Sequence, residues 1–340
     1  MNRKSLYSWT NHGGVRSLLK RASECGVAIS SIPGKKNLLK LSHDGKVVFL
    51  NGSRIPVMRR MGNLTTNKEV TKIILDYIGI RTPRGIVAHS LEDAIRFIKE
   101  NKMPFPLILK PTHGSRALGV TWNIRSEKNL RQAFINFLEA KKRYGFKKDT
   151  FLVEEMFVGN EYRILVLNST VISCVKKIPA SVMGDGKSSI KKCVKDFNKR
   201  RLPGFKIQID GVAEKTLKEA GYTLDSILPD KQVFRLRNNL NMSDGGRSID
   251  VTDTIHHSFR DICTKATEVS GLSFAGIDIL AEDISKPAEG INYVVLELNP
   301  NPYYNMNEKP LAEGKGIDVS FLLLKQLFPT ITSTRMISHP

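Results

Sequence analysis

The chain has 340 residues, of which 41% are hydrophobic and 25% are charged, and a formal net charge of +20, values typical of a globular protein with two or three packed lobes. No apolar run approaches the length of a transmembrane helix and no apolar signal-peptide core follows Met1, so we expect a cytoplasmic protein that does not enter a membrane. The four cysteines are widely spaced and form no Cys-x-x-Cys pair, which argues against disulfides and zinc.

The excess of basic residues is concentrated near the start of the chain. Up to Lys72 there are 14 lysines and arginines against three acidic residues, Glu24, Asp44 and Glu69. Such a basic surface can bind nucleic acid, can steer anionic small molecules into a cleft, or can simply be solvated. All three interpretations stay open at this point.

The first 65 residues are expected to form a short, basic α/β segment. A helical pattern spans residues 15–25, and strand patterns at 37–41 and 46–50 are bounded by Pro33-Gly34 and Asp44-Gly45 turns. A second helix is predicted to begin at a capping box formed by Thr66 and Glu69 and to end at Gly79. Its predicted apolar stripe consists of Val70, Ile73, Ile74, Tyr77 and Ile78.

Strands and helices then alternate, which is the pattern of an α/β lobe. Strands are predicted at residues 84–88, 105–110 and 150–154, with a further strand that ends near Ile124. Ser90 is predicted to cap a helix, another helix surrounds residues 130–138, and a glycine loop occupies residues 114–119.

The second half of the chain is richer in strand. A hairpin is predicted at residues 162–166 and 170–177, turned at Asn168-Ser169. A helix at residues 255–270 precedes strands at 274–281 and 293–298, and the polar segment between these strands favours an antiparallel pair. A closing helix at residues 317–328 turns Val319, Leu322 and Leu323 inward. We therefore predict a mixed α+β or α/β fold with domains at residues 1–65, 66–155 and 156–330 and a tail at 331–340.

Three oxygen-bearing side chains interrupt the last apolar strands. Asp278 lies in the first of these strands, and Glu297 and Asn299 lie two residues apart in the second, so they project from one face. Carboxylate and amide oxygens suit Mg²⁺, which keeps its remaining positions for water and nucleotide phosphates. The alternative is that the acids pair with nearby lysine or arginine residues.

Phosphate and nucleotide binding are suggested by two further segments. Lys110 ends a buried strand just before the glycine loop, whose backbone N–H groups could fold over phosphates. The loop is not a P-loop, because Val120 stands where that motif requires lysine. The segment 153–162 could present a backbone donor and acceptor to an adenine edge, while Glu161 could accept from ribose hydroxyls. Surface turns and a plain linker are the alternatives.

Taken in chain order, these residues resemble the ATP-grasp superfamily. The motifs that carry the resemblance are Lys68, Lys110-Pro111, the glycine loop, the segment 154–161, Asp278 and Glu297-x-Asn299. The nearest similarity is to the ATP-grasp region of cyanophycin synthetases and of bifunctional glutathione synthetases. It implies an ATP-grasp fold, in which two α/β lobes grip ATP behind a short N-terminal segment. It also implies an ATP-dependent carboxylate–amine ligase that forms an acyl phosphate and releases ADP and phosphate.

The resemblance also implies roles for individual residues, with ATP and Mg²⁺ as cofactors. The residues expected to bind ATP are Lys68, Lys110, Gly114, Ser115, Gly119, Glu154, Glu155, Met156, Phe157 and Glu161. The expected metal ligands are Asp278, Glu297 and Asn299, and the expected catalytic residues are Arg163, Lys177 and Arg237. The residues expected to line the substrate site are Asn241, Ser243, Gly245, Gly246, Asn305 and Asn307.

The chain departs from these relatives in ways that bear on substrate. It is expected to be neither relative in full, because the second ligase domain of each is missing. Asn307 stands where the relatives tend to have histidine, and Asn305 where cyanophycin synthetases tend to have arginine. The N-terminal segment is short, so we expect part of the substrate wall to be missing or to come from a partner subunit.

The expected substrates are amino acids or short peptides, acidic ones among them. Two alternatives remain: a ligase that modifies a ribosomally made peptide or a protein side chain, and a nucleic-acid-binding protein on an ATP-grasp scaffold. The complete set of metal-binding residues argues against the second. Assembly as a homodimer or a homotetramer is left open.

Overall fold

The computed structural model of the protein describes residues 13–32, 35–51, 68–112, 118–145, 150–309 and 311–332. Unit 1, the first of two compact units, is built from the described residues of Met1–Pro83, Phe157–Val175 and Asp250–Pro340. Unit 2 is built from those of Arg84–Met156 and Lys176–Ile249. The predicted domain boundaries after residues 65, 155 and 330 stay a prediction, because Cα packing does not show which segments fold on their own.

The described residues form helices and strands in an alternating order. The helices are α1 (Gly13–Glu24), α2 (Lys68–Tyr77), α3 (Leu91–Glu100), α4 (Glu127–Tyr144), α5 (Ile190–Lys199), α6 (Gly211–Glu219), α7 (His257–Val269) and α8 (Val319–Leu327). The strands are β1 (Ala28–Ile32), β2 (Lys35–His43), β3 (Lys46–Asn51), β4 (Gly85–Ala88), β5 (Leu107–Pro111), β6 (Thr121–Ile124), β7 (Phe151–Glu155), β8 (Asn160–Leu167), β9 (Thr170–Ile178), β10 (Ser181–Met183), β11 (Val233–Arg235), β12 (Arg247–Asp250), β13 (Phe274–Ala281), β14 (Tyr293–Asn299) and β15 (Ala312–Glu313). Within these ranges, no helix is both long enough and apolar enough to cross a membrane.

The largest sheet has the strand order β14-β13-β8-β9-β12-β15. The predicted hairpin is confirmed: β8 and β9 are neighbours, and Asn168 and Ser169 at the turn have φ values of 47° and 58°, as a two-residue hairpin turn requires. β13 pairs antiparallel with both β8 and β14, which confirms the predicted antiparallel pair.

Unit 1 contains two apolar cores. The first joins α1, the three-stranded sheet β1-β2-β3 and α8, and contains Leu18, Leu39, Tyr304 and Leu323. The second lies under α7 and contains Phe259 and the two buried cysteines Cys174 and Cys263. The N-terminal segment therefore shares a core with the closing helix. Ile331, which the sequence assigns to the tail, is also buried in the first core.

Unit 2 also contains two cores. The antiparallel sheet β4-β7-β5-β6 is covered by α3 and α4, with Leu107, Leu109 and Phe137 fully buried. The predicted cap is confirmed, because the Ser90 side chain accepts a hydrogen bond from the Asp93 N–H. A smaller core packs β10 and β11 against α5 and α6. These two helices were not predicted, although both carry local signals. Ile190, Cys193, Val194 and Phe197 lie at helical spacing in α5, and Ser189 and Asp210 cap the starts of α5 and α6.

The predicted apolar stripe of α2 is wrong in part. Ile73 and Tyr77 are 62% and 91% exposed, whereas Leu75 is buried together with Thr71. The sequence of this helix offers two apolar faces. The face that packs against the second core of unit 1 contains Thr71, Leu75 and Ile78, which recur at helical spacing. Thr66 of the predicted capping box lies outside the described residues.

Glu308 is a buried carboxylate that connects α1 to α8. The Ser17 hydroxyl donates to its Oε2 and the Ser320 N–H donates to its Oε1, both at 2.5 Å. Burial raises the pKa of Glu308 to about 7, although both hydrogen bonds act to lower it. Because the pKa is raised in the folded state, the group stabilises the fold below the unfolded pKa of 4.5, and this contribution is lost as the pH rises through about 7.

We predict that Glu308→Gln removes this pH dependence, because glutamine stays neutral while keeping the shape. The wild-type free energy of unfolding should fall by about 3 kcal/mol between pH 4.5 and 8 relative to the variant, since each pKa unit corresponds to about 1.4 kcal/mol. Urea unfolding at several pH values measures this difference. Glu219→Gln, at an exposed glutamate, is the control and should follow the wild type. Parallel curves for wild type and Glu308→Gln would contradict the assignment.

Candidate functional site

Three neighbouring strands of unit 1 bring together most of the predicted metal and catalytic residues. In the antiparallel register, Asp278 on β13 stands directly opposite Arg163 on β8 and, on its other side, opposite Glu297 on β14. Asn299 pairs with Gly276 in the same ladder. Directly opposed side chains lie on the same face of a sheet, so these polar groups meet although the chain separates them widely.

Asp278 is held by a bidentate ion pair with Arg163. The guanidinium Nε and Nη2 donate to Oδ1 and Oδ2, both at 2.7 Å, and both residues are less than a tenth exposed. Burial alone would lower the pKa of Arg163, but the Asp278 carboxylate more than offsets this and the pKa is raised. Glu297 and Glu161 add to the same effect. Asp278 is therefore paired with an arginine, as the alternative predicted, and its role as a metal ligand stays a prediction.

Glu297 also has a cationic partner. Lys68, the first residue of α2, places its Nζ 3.2 Å from Oε1 of Glu297, and the side chains are 20% and 38% exposed. Asn299 donates from Nδ2 to Oδ2 of Asp278 at 3.1 Å. The sequence analysis assigned Lys68 to ATP phosphates, and that role stays a prediction. The contact with Glu297 was missed, because no local signal connects residues on such distant parts of the chain.

The residues around Asp278 fit a bound Mg²⁺. Their donor groups are carboxylates and an amide, which is the oxygen set that this ion prefers. In the part of the chain that the structure describes, no three histidine, cysteine or acidic side chains form a metal-binding group by themselves. Mg²⁺ is usually held by one or two carboxylates together with substrate phosphates.

In unit 2, Lys110 and Glu154 form an ion pair. They lie on the neighbouring strands β5 and β7, and Glu154 is only 2% exposed. A charged carboxylate buried to this extent is costly without a partner, so the pair supports the structure and is also a candidate nucleotide site. The structure thus joins the lysine predicted to bind phosphates to the glutamate predicted to read adenine.

The neighbouring residues of the predicted adenine segment are already hydrogen-bonded. Glu155 accepts from the N–H of Arg84 at 3.1 Å and from its Nε at 3.3 Å. The Met156 N–H donates to the Pro106 carbonyl at 3.1 Å, so a backbone donor to adenine must come from another residue of the segment. Phe157 is the next residue, and the division between the two units falls just before it.

Part of the glycine loop can be placed. Gly114 and Ser115 lie outside the described residues. Gly119, at the end of the loop, has a φ of 71°, a left-handed conformation that favours glycine. The phosphate-binding role of all three residues stays a prediction.

Arg237, predicted to be catalytic, is fixed within unit 2. It is 6% exposed, and its Nη2 contacts Oδ2 of Asp210 at 2.5 Å and the Gln208 carbonyl at 3.3 Å. The hydrogen bond from Arg237 lowers the pKa of Asp210, whose other oxygen caps α6 by accepting from two backbone N–H groups. Arg237 is therefore held in one orientation by an acid that is itself fixed. Lys177, near the end of β9, is half-buried.

The Asn241–Gly246 segment forms a tight turn in which a side chain at either glycine would clash with neighbouring atoms. Gly245 has a φ of 93°, and a Cβ there would lie 2.5 Å from Ile207. A Cβ on Gly246 would lie 2.7 Å from the Asn241 carbonyl, to which the Gly246 N–H donates. The side chain of Ser243 in this turn is exposed. The turn is thus well defined, and its contact with substrate stays a prediction.

The two asparagines predicted near the substrate differ in exposure. Asn307 is completely buried and donates from Nδ2 to the Ser173 hydroxyl at 2.8 Å, so in this conformation it supports the loop and does not face solvent. Asn305 is half-buried beside Gly13, where a Cβ would lie 2.8 Å from its Oδ1. Tyr304, between them, donates its hydroxyl to the Gly14 carbonyl. The start of α1 therefore packs on this loop, a contact that the sequence analysis missed.

The chain is similar in sequence to known ATP-grasp proteins. Residues 65–195 match the family described as RimK-like ATP-grasp domain. The chain is 32% identical over 283 residues to the cyanophycin synthetase of Trichormus variabilis, covering 80% of this chain and 30% of the relative. It is 30% identical over 320 residues to the bifunctional glutathione biosynthesis protein of Desulfotalea psychrophila, covering 90% of this chain and 40% of the relative. The chain thus spans about a third of the curated relatives it matches.

A solved structure extends the similarity to the fold. The bifunctional glutathione synthetase of Pasteurella multocida superposes with a TM-score of 0.70 at 28% sequence identity, covering 93% of this chain and 44% of the other. The protein contains a RimK-like ATP-grasp domain and has the ATP-grasp fold.

Proposed function

We propose that the protein is an ATP-dependent carboxylate–amine ligase that forms a peptide-type bond through an acyl phosphate and releases ADP and phosphate. The observation that carries this proposal is the register of β8, β13 and β14, which collects Asp278, Glu297 and Asn299 into one oxygen-donor set. A set of this kind suits phosphoryl transfer, which depends on positioning and on charge stabilisation.

In this proposal, the residues of the chain have separate roles. Lys110 and Lys68 bind phosphate groups of ATP, and Asp278, Glu297 and Asn299 hold Mg²⁺. The metal neutralises charge that develops on the phosphates during transfer. Arg237 stabilises the transferring phosphoryl group, and Arg163 and Lys177 complete the charged set. The Asn241–Gly246 turn and the glycine loop exclude water from the acyl phosphate until the amine attacks.

The substrate class follows from chemistry and from the relatives. The relatives' names refer to the synthesis of cyanophycin and of glutathione, and we infer that the substrates here are amino acids or short peptides. The net charge of +20 suits an acidic carboxylate substrate and fits the steering of ATP equally well, because both are anions. Because the reaction consumes ATP, the proposal includes a cytoplasmic location.

We predict that an acyl phosphate can be intercepted. With ATP, Mg²⁺, the carboxylate substrate and hydroxylamine, but without the amine, the full chain should yield the hydroxamate of that carboxylate together with ADP. A matrix of amino acids and short peptides, read by mass spectrometry, identifies the carboxylate. Omission of hydroxylamine is the control and should leave little phosphate release, since water attacks the shielded intermediate poorly. Formation of AMP and pyrophosphate would indicate adenylation, and a stable phosphorylated alcohol would indicate a kinase.

We predict that Glu297→Gln lowers turnover by roughly two to four orders of magnitude, because it removes a ligand charge while keeping the shape of the side chain. The fold should survive, since Glu297 is more than a third exposed. Phosphate release and circular dichroism measure the two effects. Glu289→Gln, at an exposed glutamate in the segment that joins β13 to β14, serves as the control. Near-normal turnover of a folded Glu297→Gln variant would refute the metal assignment.

We predict that removal of the buried pair in unit 2 weakens ATP binding selectively. The combined change Lys110→Met and Glu154→Gln removes both charges. ATP affinity should fall by about 10-fold to 100-fold, which corresponds to the loss of one charge-assisted hydrogen bond to a phosphate group. Adenosine affinity should change much less, because the glutamine at position 154 keeps a side-chain oxygen that can accept a hydrogen bond from adenine. Calorimetric titration with both ligands measures the difference.

Lys110→Ala alone is the comparison for this pair. It leaves Glu154 buried without its lysine and should therefore lower Tm more than the combined change does. Equal losses of affinity for ATP and for adenosine would mean that the pair supports the fold only.

A further inference from the structure

Each metal-binding acid of unit 1 already has a cation beside it. Asp278 is bound on both oxygens by Arg163, and Glu297 is paired with Lys68. Glu161 also acts on the charge of Arg163, which places a third acid near the same group. The five side chains together carry three negative and two positive charges. The surplus of one negative charge is small for a site that would hold a divalent cation unaided.

The two cations differ in how firmly they are held. Arg163 is buried, and its side chain lies against Gly276, where a Cβ would be 3.0 Å from Cδ and 3.2 Å from Nη1. The glycine therefore provides the space that the guanidinium occupies. Lys68 is more exposed and its Nζ lies 3.2 Å from Glu297, its ion-pair partner among the described residues. We expect Arg163 to remain in place during a reaction cycle and Lys68 to move readily.

These cations compete with a metal ion for the same oxygens. The attraction between Mg²⁺ and a carboxylate falls when a cation already lies within about 4 Å of that carboxylate, because the repulsion between the two cations opposes it. Mg²⁺ also sheds its water reluctantly and prefers sites in which phosphate oxygens complete the coordination. A nucleotide brings both the missing oxygens and negative charge.

We propose that Arg163 and Lys68 are built-in counter-ions that keep this site from holding a divalent cation until a nucleotide is bound. The proposal rests on the ligase function above, because it assumes that the acids are the metal ligands of that reaction. Arg163 is then a positioning residue that fixes Asp278 and masks its charge. Lys68 masks Glu297 in the absence of nucleotide and is displaced toward the phosphates when the metal arrives.

A masking role and a purely structural role of these cations predict different changes in metal affinity when a cation is removed. If the cations only supported the fold, their removal would weaken metal binding or leave it unchanged. If they mask the acids, removal of either one should strengthen metal binding to the nucleotide-free protein. The sign of the change therefore separates the two roles.

The experiment measures Mn²⁺ binding to the full chain by electron paramagnetic resonance, with and without a non-hydrolysable ATP analogue. Wild-type protein should bind Mn²⁺ weakly alone and at least about 100-fold more tightly with the analogue present, once binding of Mn²⁺ to the free analogue is subtracted. Lys68→Met should raise the nucleotide-free affinity for Mn²⁺ by about tenfold, as expected for loss of one like charge near a partly solvated site. Lys99→Met is the matched control, because Lys99 forms a 3.2 Å surface ion pair with Glu127 in unit 2.

Arg163→Met tests the second counter-ion. It leaves Asp278 without its guanidinium, so the variant is expected to be less stable than the wild type and to regain Tm on addition of Mn²⁺ without nucleotide. If Arg163→Met does not fold, the result for Lys68→Met decides. Tight Mn²⁺ binding by nucleotide-free wild type, or an unchanged or lower affinity in Lys68→Met, would overturn the proposal.

This outcome is independent of the test for ligase activity. Absence of hydroxamate with every carboxylate, together with the expected Mn²⁺ pattern, would support the counter-ions and refute the ligase. Formation of hydroxamate by a protein that binds Mn²⁺ tightly without nucleotide would support the ligase and refute the counter-ions.

Discussion

A buried carboxylate that stays charged is stabilised by a cation beside it, and the arrangement of β8, β13 and β14 in unit 1 depends on how Asp278 meets this requirement. Three antiparallel strands set it between Arg163 and Glu297, and the guanidinium binds both of its oxygens. Removal of the guanidinium would leave the buried Asp278 carboxylate without its cation, which typically costs several kcal/mol of folding free energy. The ladder, the absence of a side chain at Gly276 and the position of Asn299 are all consistent with this one ion pair.

The same solution recurs in unit 2. Lys110 pairs with Glu154 across neighbouring strands, and Arg237 pairs with Asp210 at the start of α6. In each case a residue with a proposed catalytic or binding role is held by an opposite charge on another element. Such pairs fix side chains before any ligand arrives, which reduces the reorganisation that phosphoryl transfer would otherwise require. Lys68 differs because its side chain is partly exposed and, among the described residues, is paired with an acid that is also partly exposed, which leaves it able to change partners.

The N-terminal segment is more closely integrated than its composition indicates. Its basic residues point to a solvated surface, yet α1 and the sheet β1-β2-β3 share a core with α8 and the start of β13. Gly13 and Gly14 pack on Tyr303 and Tyr304, where a side chain at either glycine would clash with the rings. The conformation of the loop that follows β14 therefore depends on its contacts with the start of α1. This contact gives the segment a role in positioning the loop that contains Asn305 and Asn307.

The sequence by itself determined the features that depend on neighbouring residues. Period-two strands, the Ser90 cap, the Asn168-Ser169 turn and the pairing of β13 with β14 followed from local patterns, and the ordered motifs indicated the ATP-grasp fold. Only the tertiary structure decided which face of α2 is buried, because this depends on distant packing partners. The positions of α5 and α6 are marked in the sequence by the caps Ser189 and Asp210, and these local signals were overlooked. The tertiary structure also decided which residue forms an ion pair with each buried charged residue. Arg163 and Asp278 are 115 residues apart, and a sheet register, which no local pattern encodes, brings them together.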